Sequence, residues 1–306
     1  MLNRILEIQE EKRYLSLNRG FIDIRERDSL LASVPLDDIA VLLLTAQQIT
    51  LTKNVINALS ERDCIIVYCG KNYNPVSMTV PIASHYLFTK IIKNQINASL
   101  PLKKRLWQQI VIRKIQNQAL ALHFCEKDAE AKKINKIATL VKSGDPDNRE
   151  AYAARMYWKY LFGDTFVRDK DGDGLNALLN YGYAIMRSSM IRAICAAGLI
   201  PSLGIHHDNN MNQFCLADDL FEIYRPIVDC LTYKLFIAGN TELNTAVKKI
   251  FVESIKIFVN CKGVETPIFQ SMNYLTTSVV KSFDEKKVMI ELPEWKGNEN
   301  GITIIK

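Results

Sequence analysis

Tyr14-Leu15-Ser16-Leu17-Asn18-Arg19-Gly20-Phe21-Ile22-Asp23-Ile24 decides how the first part of the chain folds. Two short runs flank Asn18-Arg19-Gly20, a turn in which glycine is available for positive φ, so the segment predicts a β-hairpin. Outward from it, residues 39–44, 64–68 and 76–80 are further strand candidates. Residues 51–60 have helical spacing, with Val55 and Leu59 on one face. From about residue 84 the alternation stops. Ser99-Leu100-Pro101 predicts a cap with proline in the first turn, leading a helix towards residue 124. Further helices are expected over 148–162, 176–198 with Gly198 as a stop, 216–236 with an interruption at Pro226, 242–259 and 267–282. The fold class is therefore α+β. A small N-terminal β-rich domain spans 1–82 and a larger all-α catalytic domain spans 83–306, with the passage between them in 71–84. There is no internal repeat.

Composition bounds what such a chain does. Of 306 residues, 48% are hydrophobic and 24% charged, which are globular values that exclude a disordered or low-complexity chain. The longest apolar run, 39–44, is strand-sized, against the ~18 residues of a membrane-spanning helix. The N-terminus meets Glu7 before an apolar stretch can build, so no signal peptide is expected. Seven scattered cysteines contain no C-x-x-C pair. That fits neither a disulfide framework nor a cysteine zinc site, and it agrees with a reducing cytoplasm.

The net charge of +6 is too small to name a partner until it is divided along the chain. Residues 81–142 hold 12 Lys and Arg against three Asp and Glu, a net of +9, while the flanking segments carry −1 and −2. Lys103, Lys104, Arg105, Arg113 and Lys114 stand near the head of this block. It reads either as a solvated helix face or as a surface for a phosphate backbone, where each neutralised phosphate releases counterions.

Three constellations could carry chemistry. Asp169-Lys170-Asp171-Gly172-Asp173-Gly174 opens like a calcium-binding loop, but its twelfth position is Asn180 where a bidentate glutamate should close the site. A polar loop capping the next helix is the expected reading. Gly204-Ile205-His206-His207 is followed by Asp218, Asp219 and Glu222, three acids that on a helix share nearly one face. Like charges at those spacings cost about 0.2–0.5 kcal/mol each, a sign that a cation would reverse. The alternatives are acids favoured by the helix dipole and an Arg225–Glu222 pair. Finally, Asp147-Asn148-Arg149-Glu150 precedes a helical run and reads by itself as a capping arrangement with Glu150 reaching back to an orphan amide.

Together these segments resemble one family, the CRISPR-associated integrase called Cas-one, which inserts new spacers into CRISPR arrays. The matching features are Glu150 in Arg149-Glu150-Ala151-Tyr152-Ala153-Ala154-Arg155-Met156-Tyr157, the segment Asn176-Ala177-Leu178-Leu179-Asn180-Tyr181-Gly182-Tyr183-Ala184, and Gly204-Ile205-His206-His207 with Leu216-Ala217-Asp218-Asp219-Leu220-Phe221-Glu222-Ile223-Tyr224-Arg225-Pro226. Their order and spacing and the β-rich first half agree over essentially the whole chain. The wording around His206 to Phe214 and Leu216 to Leu220 is similar to the branch that accompanies the single-protein RNA-guided effector nuclease (type II).

The resemblance implies a metal site of Glu150, His207 and Glu222. The family's histidine lies three after a glycine, which selects His207 over His206, and its carboxylate lies just before an Arg-Pro pair. Asp219, Asp218 and His206 are candidates for groups around these ligands. One imidazole and two carboxylates suit Mg²⁺ or Mn²⁺. The implied chemistry is transesterification, in which the 3′-hydroxyl of a captured double-stranded DNA fragment attacks a phosphodiester at the edge of a CRISPR repeat. The basic block with Arg149 and Arg155 would hold phosphates. The resemblance also implies a cytoplasmic homodimer through the β-rich half, the small partner protein Cas-two, other adaptation proteins of the same system, and no membrane. Rival readings are a metal-dependent endonuclease that uses water, and a non-catalytic DNA-binding scaffold whose acids only cap helices.

Overall fold

A computed structural model describes residues 4–70, 75–81 and 87–296. Its first part contains β1 (Arg4–Ile8), β2 (Arg13–Asn18), β3 (Phe21–Glu26), β4 (Ser29–Pro35), β5 (Ile39–Leu44), β6 (Ile49–Leu51), α1 (Lys53–Ser60), β7 (Ile65–Cys69) and β8 (Pro75–Thr79). The β2–β3 hairpin turns at Arg19 (φ 47°) and Gly20 (φ 86°), and its register sets Leu15 opposite Ile24. These strands make two four-stranded sheets, ordered β1-β5-β7-β8 and β4-β3-β2-β6.

The first sheet explains the unbroken apolar run at its centre. All six residues of β5 are buried, because parallel neighbours and cover on both faces leave no polar side. Val41 and Leu43, with Ile65 and Val67 of β7, join the core made by the helices. Leu42 and Leu44, with Ile66, join a smaller core with Leu15, Ile22, Val55 and Leu59.

The second part holds α2 (Phe88–Ile96), α3 (Leu100–Phe124), α4 (Asp128–Ala138), α5 (Arg149–Phe162), α6 (Leu175–Ala196), α7 (Cys215–Phe221), α8 (Arg225–Ile237), α9 (Thr245–Glu253), β9 (Phe258–Cys261), β10 (Val264–Pro267) and α10 (Ile268–Asp284). It is mostly helical rather than all-α. The helix expected over 242–259 ends at Glu253, and β9 and β10 form an antiparallel hairpin turning at Lys262 (φ 52°) and Gly263 (φ 88°). Ser99 occupies the cap position of α3, with Pro101 in the first turn, but its side chain makes no capping bond. Residues 71–74 and 82–86 of the expected passage lie outside the described residues, and β8 lies between them. Helix α6 is buried along most of its length. A Cβ on its Gly182 would meet Val228 Cγ1 of α8 at 2.5 Å, so glycine sets how closely these helices approach. Among the described residues no helix is long and apolar enough to cross a membrane, and no disulfide joins the cysteines.

Candidate active site

Three local devices bring the candidate residues together. The first is the start of α5. Asp145, buried and at φ 46°, accepts hydrogen bonds from the backbone N–H of Arg149 and of Glu150, both at 2.9 Å. The acid four residues upstream therefore does the work that the capping reading gave to Glu150. The Glu150 side chain is left to point at α3, where its Oε1 lies 2.6 Å from Lys114 Nζ.

The second device is the break between α7 and α8. Pro226 sits in the first turn of α8, and the proline ring, which has no N–H to give, belongs at a helix start. The helix pattern of 216–236 therefore restarts there, and Glu222 falls at the end of α7. Its Oε1 is 2.9 Å from Arg225 Nε and its Oε2 is 2.6 Å from Lys114 Nζ. The second contact seats the buried Oε2 against the Lys114 ammonium. Burial pushes the Glu222 carboxyl up, but Arg225 and Lys114 outweigh it and hold the group below its ordinary value. Burial likewise pulls Lys114 down, and Glu222 with Glu150 reverse that and raise it.

The third device is the loop carrying His207. Asp219, fully buried, accepts from the backbone N–H groups of Ile205 (2.6 Å), His206 (2.9 Å) and His207 (3.2 Å), and its Oδ1 lies 2.6 Å from His207 Nδ1. A proton on Nδ1 leaves Nε2 as the lone-pair nitrogen, the arrangement typical of a metal-binding histidine held by a carboxylate. The Asp219 hydrogen bond raises the His207 pKa against burial, and the charges of Glu222 and Glu150 add to it. The loop is tight enough that a Cβ on Gly204 would stand 2.2 Å from the His207 carbonyl oxygen. That is a physical reason for glycine three residues before the histidine.

The other candidates fall elsewhere. His206 stacks on Trp107, with ring centroids 4.3 Å apart and planes within 3°, so its ring is committed to α3. Asp218 is taken by Arg187 in a two-point pair (2.6 and 2.8 Å) and by Asn212. Asp218 and Glu222 thus line one cleft, while Asp219 turns to the 205–207 backbone. Among the expected phosphate contacts, Lys114 is corrected outright, being buried between two carboxylates. Lys103 donates to the Gly204 carbonyl (3.2 Å) and Arg113 pairs with Glu294 (3.4 Å). Lys104, Arg105 and Arg155 are exposed, and Arg149 is half-buried. In the loop 169–174, Arg168 and the Asn176 and Asn180 side chains tie down the backbone, while the helix start at Gly174 has no side-chain cap.

Sequence reasoning missed Asp145, Trp107 and the inward role of Lys114. It also missed a buried network below the site. Asp229 accepts from the hydroxyls of Tyr157 (3.0 Å) and Tyr183, and burial raises its pKa to about 7. Arg225 lies over the rings of Phe221 (4.2 Å) and Tyr183 (4.9 Å), so it is clamped from below while it holds Glu222. A cleft of about 530 Å³ opens over Glu222, His207 and Arg225, with Lys170, Asn180 and Arg187 on its rim. A larger groove of about 700 Å³ between α3, α4 and Trp295 is mainly apolar and contains none of these ligands.

Among the described residues no three His, Cys, Asp or Glu side chains stand grouped as a ready metal cage. The donor chemistry nevertheless fits a hard divalent cation. Glu222 Oε2 is buried against the Lys114 ammonium, Glu150 shares that cation, and the charges of both carboxylates act on His207.

Fold and site together define a class: a two-sheet β region built onto a helical body in which Glu222 and His207 line a polar cleft and Glu150 meets Glu222 at Lys114. The chain belongs to the family described as CRISPR associated protein Cas1, whose model matches residues 6–250. It is 33% identical over 286 residues to a CRISPR-associated endonuclease Cas1 of Neisseria meningitidis, covering 90% of this chain and 94% of that one. Its fold is shared with a solved casposase bound to integration product (TM-score 0.80, 18% identity, 99% of this chain and 98% of that one). It is shared too with a chain of a Cas6-RT-Cas1–Cas2 complex (TM-score 0.76, 17% identity, 96% of this chain and 36% of that one).

Proposed function

We propose that the protein is a CRISPR adaptation integrase that joins the 3′-hydroxyl of a short double-stranded DNA fragment to a phosphodiester of the repeat by metal-dependent transesterification. The observation that carries this reading is the convergence of Glu150 and Glu222, from separate helices, on one cationic centre beside an Asp219-held histidine. A bound Mg²⁺ or Mn²⁺ would supply polarisation of the phosphodiester and stabilisation of the attacking and leaving oxygens. Glu150, Glu222 and His207 would hold it. Asp219 orients the His207 ring through Nδ1, and Arg225 with Lys114 keeps Glu222 ionised. No side chain needs to form a covalent intermediate.

The relatives support the partners. One fold neighbour is solved on an integration product and another within a Cas1–Cas2 assembly. DNA and Cas-two are the partners we assign to this chain, in the cytoplasm. The 33% identity to the Neisseria protein supports the type II branch. We assign residues 1–82 as the dimerisation part and 83–306 as the catalytic part. Edge strand β4 favours a homodimer, since among the described residues it pairs with β3 alone and its Leu30 and Leu31 are about half exposed (53% and 49%). A size-exclusion mass of one chain at micromolar concentration would remove that assignment.

The test offers a fragment with free 3′-hydroxyl ends and a supercoiled plasmid containing the repeat, with Mn²⁺. Joined product is the expected result. Nicked or linearised plasmid without joining would instead favour hydrolysis, the activity in the name of the Neisseria relative. Exposed Lys104 and Arg105 are expected to meet phosphate. Reversing both to glutamate should weaken duplex binding and reduce the slope of log affinity against log salt by about 0.9 per lost phosphate contact. An unchanged slope takes them off the DNA path.

A further inference from the structure

We propose that Lys114 is a built-in counter-cation of the site, whose ammonium holds Glu150 and Glu222 together and competes with the divalent metal for the same two oxygens. This positioning role rests on the metal-site reading above. Lys114 lies on α3 two turns beyond Trp107, with only 10% of its side chain exposed, and its Nζ stands 2.6 Å from Glu150 Oε1 and 2.6 Å from Glu222 Oε2. Both partners are members of the proposed ligand set. Neighbouring Lys104 and Arg105 face solvent, so burial of this one lysine is a specific feature of the site.

The physical logic has two parts. Two carboxylates brought together under cover repel each other, and a buried charge is tolerated only when paired. Lys114 supplies that pairing from within the chain, so the two helices carrying the acids need no metal to stay in register. A divalent cation brings twice the charge to the same oxygens, so coordination by Glu150 and Glu222 must displace the ammonium. The lysine therefore weakens metal binding while it stabilises the fold, and the two effects separate on substitution.

The experiment compares wild type, Lys114→Met, Lys114→Gln and Lys114→Arg. Free Mn²⁺ is followed by electron paramagnetic resonance during titration, and melting is recorded in EDTA and in Mn²⁺. Methionine and glutamine remove the charge, and each should bind Mn²⁺ at least tenfold more tightly than wild type. Each should also melt lower than wild type in EDTA and recover most of that deficit in Mn²⁺. Arginine, which keeps the charge, should stay near wild type in both readouts. Simple structural damage would weaken metal binding, so the sign of the change carries the test. Equal or weaker Mn²⁺ affinity in the neutral variants, or a melting deficit that Mn²⁺ leaves in place, overturns the counter-cation role with the metal site intact. Absence of Mn²⁺ binding in wild type and variants alike overturns the metal site, and this role with it.

Discussion

Glu150→Gln, Glu222→Gln and His207→Ala should each lower strand transfer by about 1,000-fold or more, while duplex binding should stay within a few-fold of wild type. The size follows from what each change removes, a donor to the proposed metal that would stabilise transition-state charge. Binding survives because the exposed basic side chains of Lys104, Arg105 and Arg155 are untouched. The three changes differ in their cost to the fold. Glu222 is 7% exposed and pairs with both Lys114 and Arg225, whereas Glu150 is 20% exposed and pairs with Lys114. Glu222→Gln should therefore also lower the melting temperature more than Glu150→Gln does. Activity measured at a temperature where all variants are folded separates the two effects. Wild-type integration by any one variant removes that residue from the ligand set.

Asp219→Ala should be the most damaging single change to stability in this region, by about 3–5 kcal/mol. It takes the carboxylate that accepts from the Ile205, His206 and His207 amides and leaves His207 Nδ1 without that acceptor, all around a fully buried position. Asp219→Asn is milder to the fold, because one carbonyl oxygen remains. Its amide NH₂ faces donors, however, and no longer fixes the histidine tautomer, so Mn²⁺ affinity should drop by about 10–100-fold. Urea denaturation and Mn²⁺ titration read the two effects. An Asp219→Ala protein as stable as wild type would mean that the loop is held by something other than this clasp.

Much of this was legible in the sequence because it depends on local rules. The hairpin at Asn18-Arg19-Gly20 needed only a turn that tolerates positive φ, and the apolar run of β5 needed only length. Gly204 and His207 were visible as a spacing, and the Gly204 contact explains that spacing. What was hidden depended on which neighbour wins. Asp145 lies two residues outside the D-x-x-E pattern that drew notice, and only the left-handed turn through Asp145 and Asn148 brings its carboxylate to the α5 amides. Lys114 had a local signal, since it follows Trp107, Ile110 and Val111 along the buried face of α3. Averaging charge over 81–142 made it one more surface cation. The turn of Asp219 to the 205–207 amides was hidden because it depends on a loop distant in sequence from α7. The β9–β10 hairpin was lost because Lys262-Gly263 was not weighed against the helical periodicity around it.

The sheet built on β5 has a consequence for how the protein can be divided. Its two faces belong to different cores, with Val41, Leu43, Ile65 and Val67 lining the helices and Leu42, Leu44 and Ile66 lining the hairpin side. Severing the chain near residue 82 would not release two finished globules. The helical fragment would lose one wall of its interior and present bare α6 surface to water, and the strand fragment would carry a greasy face with nothing on it. The two parts are better regarded as rooms sharing a partition. Fusion partners or affinity tags are tolerated at the outer surfaces, whereas an expression fragment beginning at residue 83 should be recovered mainly as aggregate.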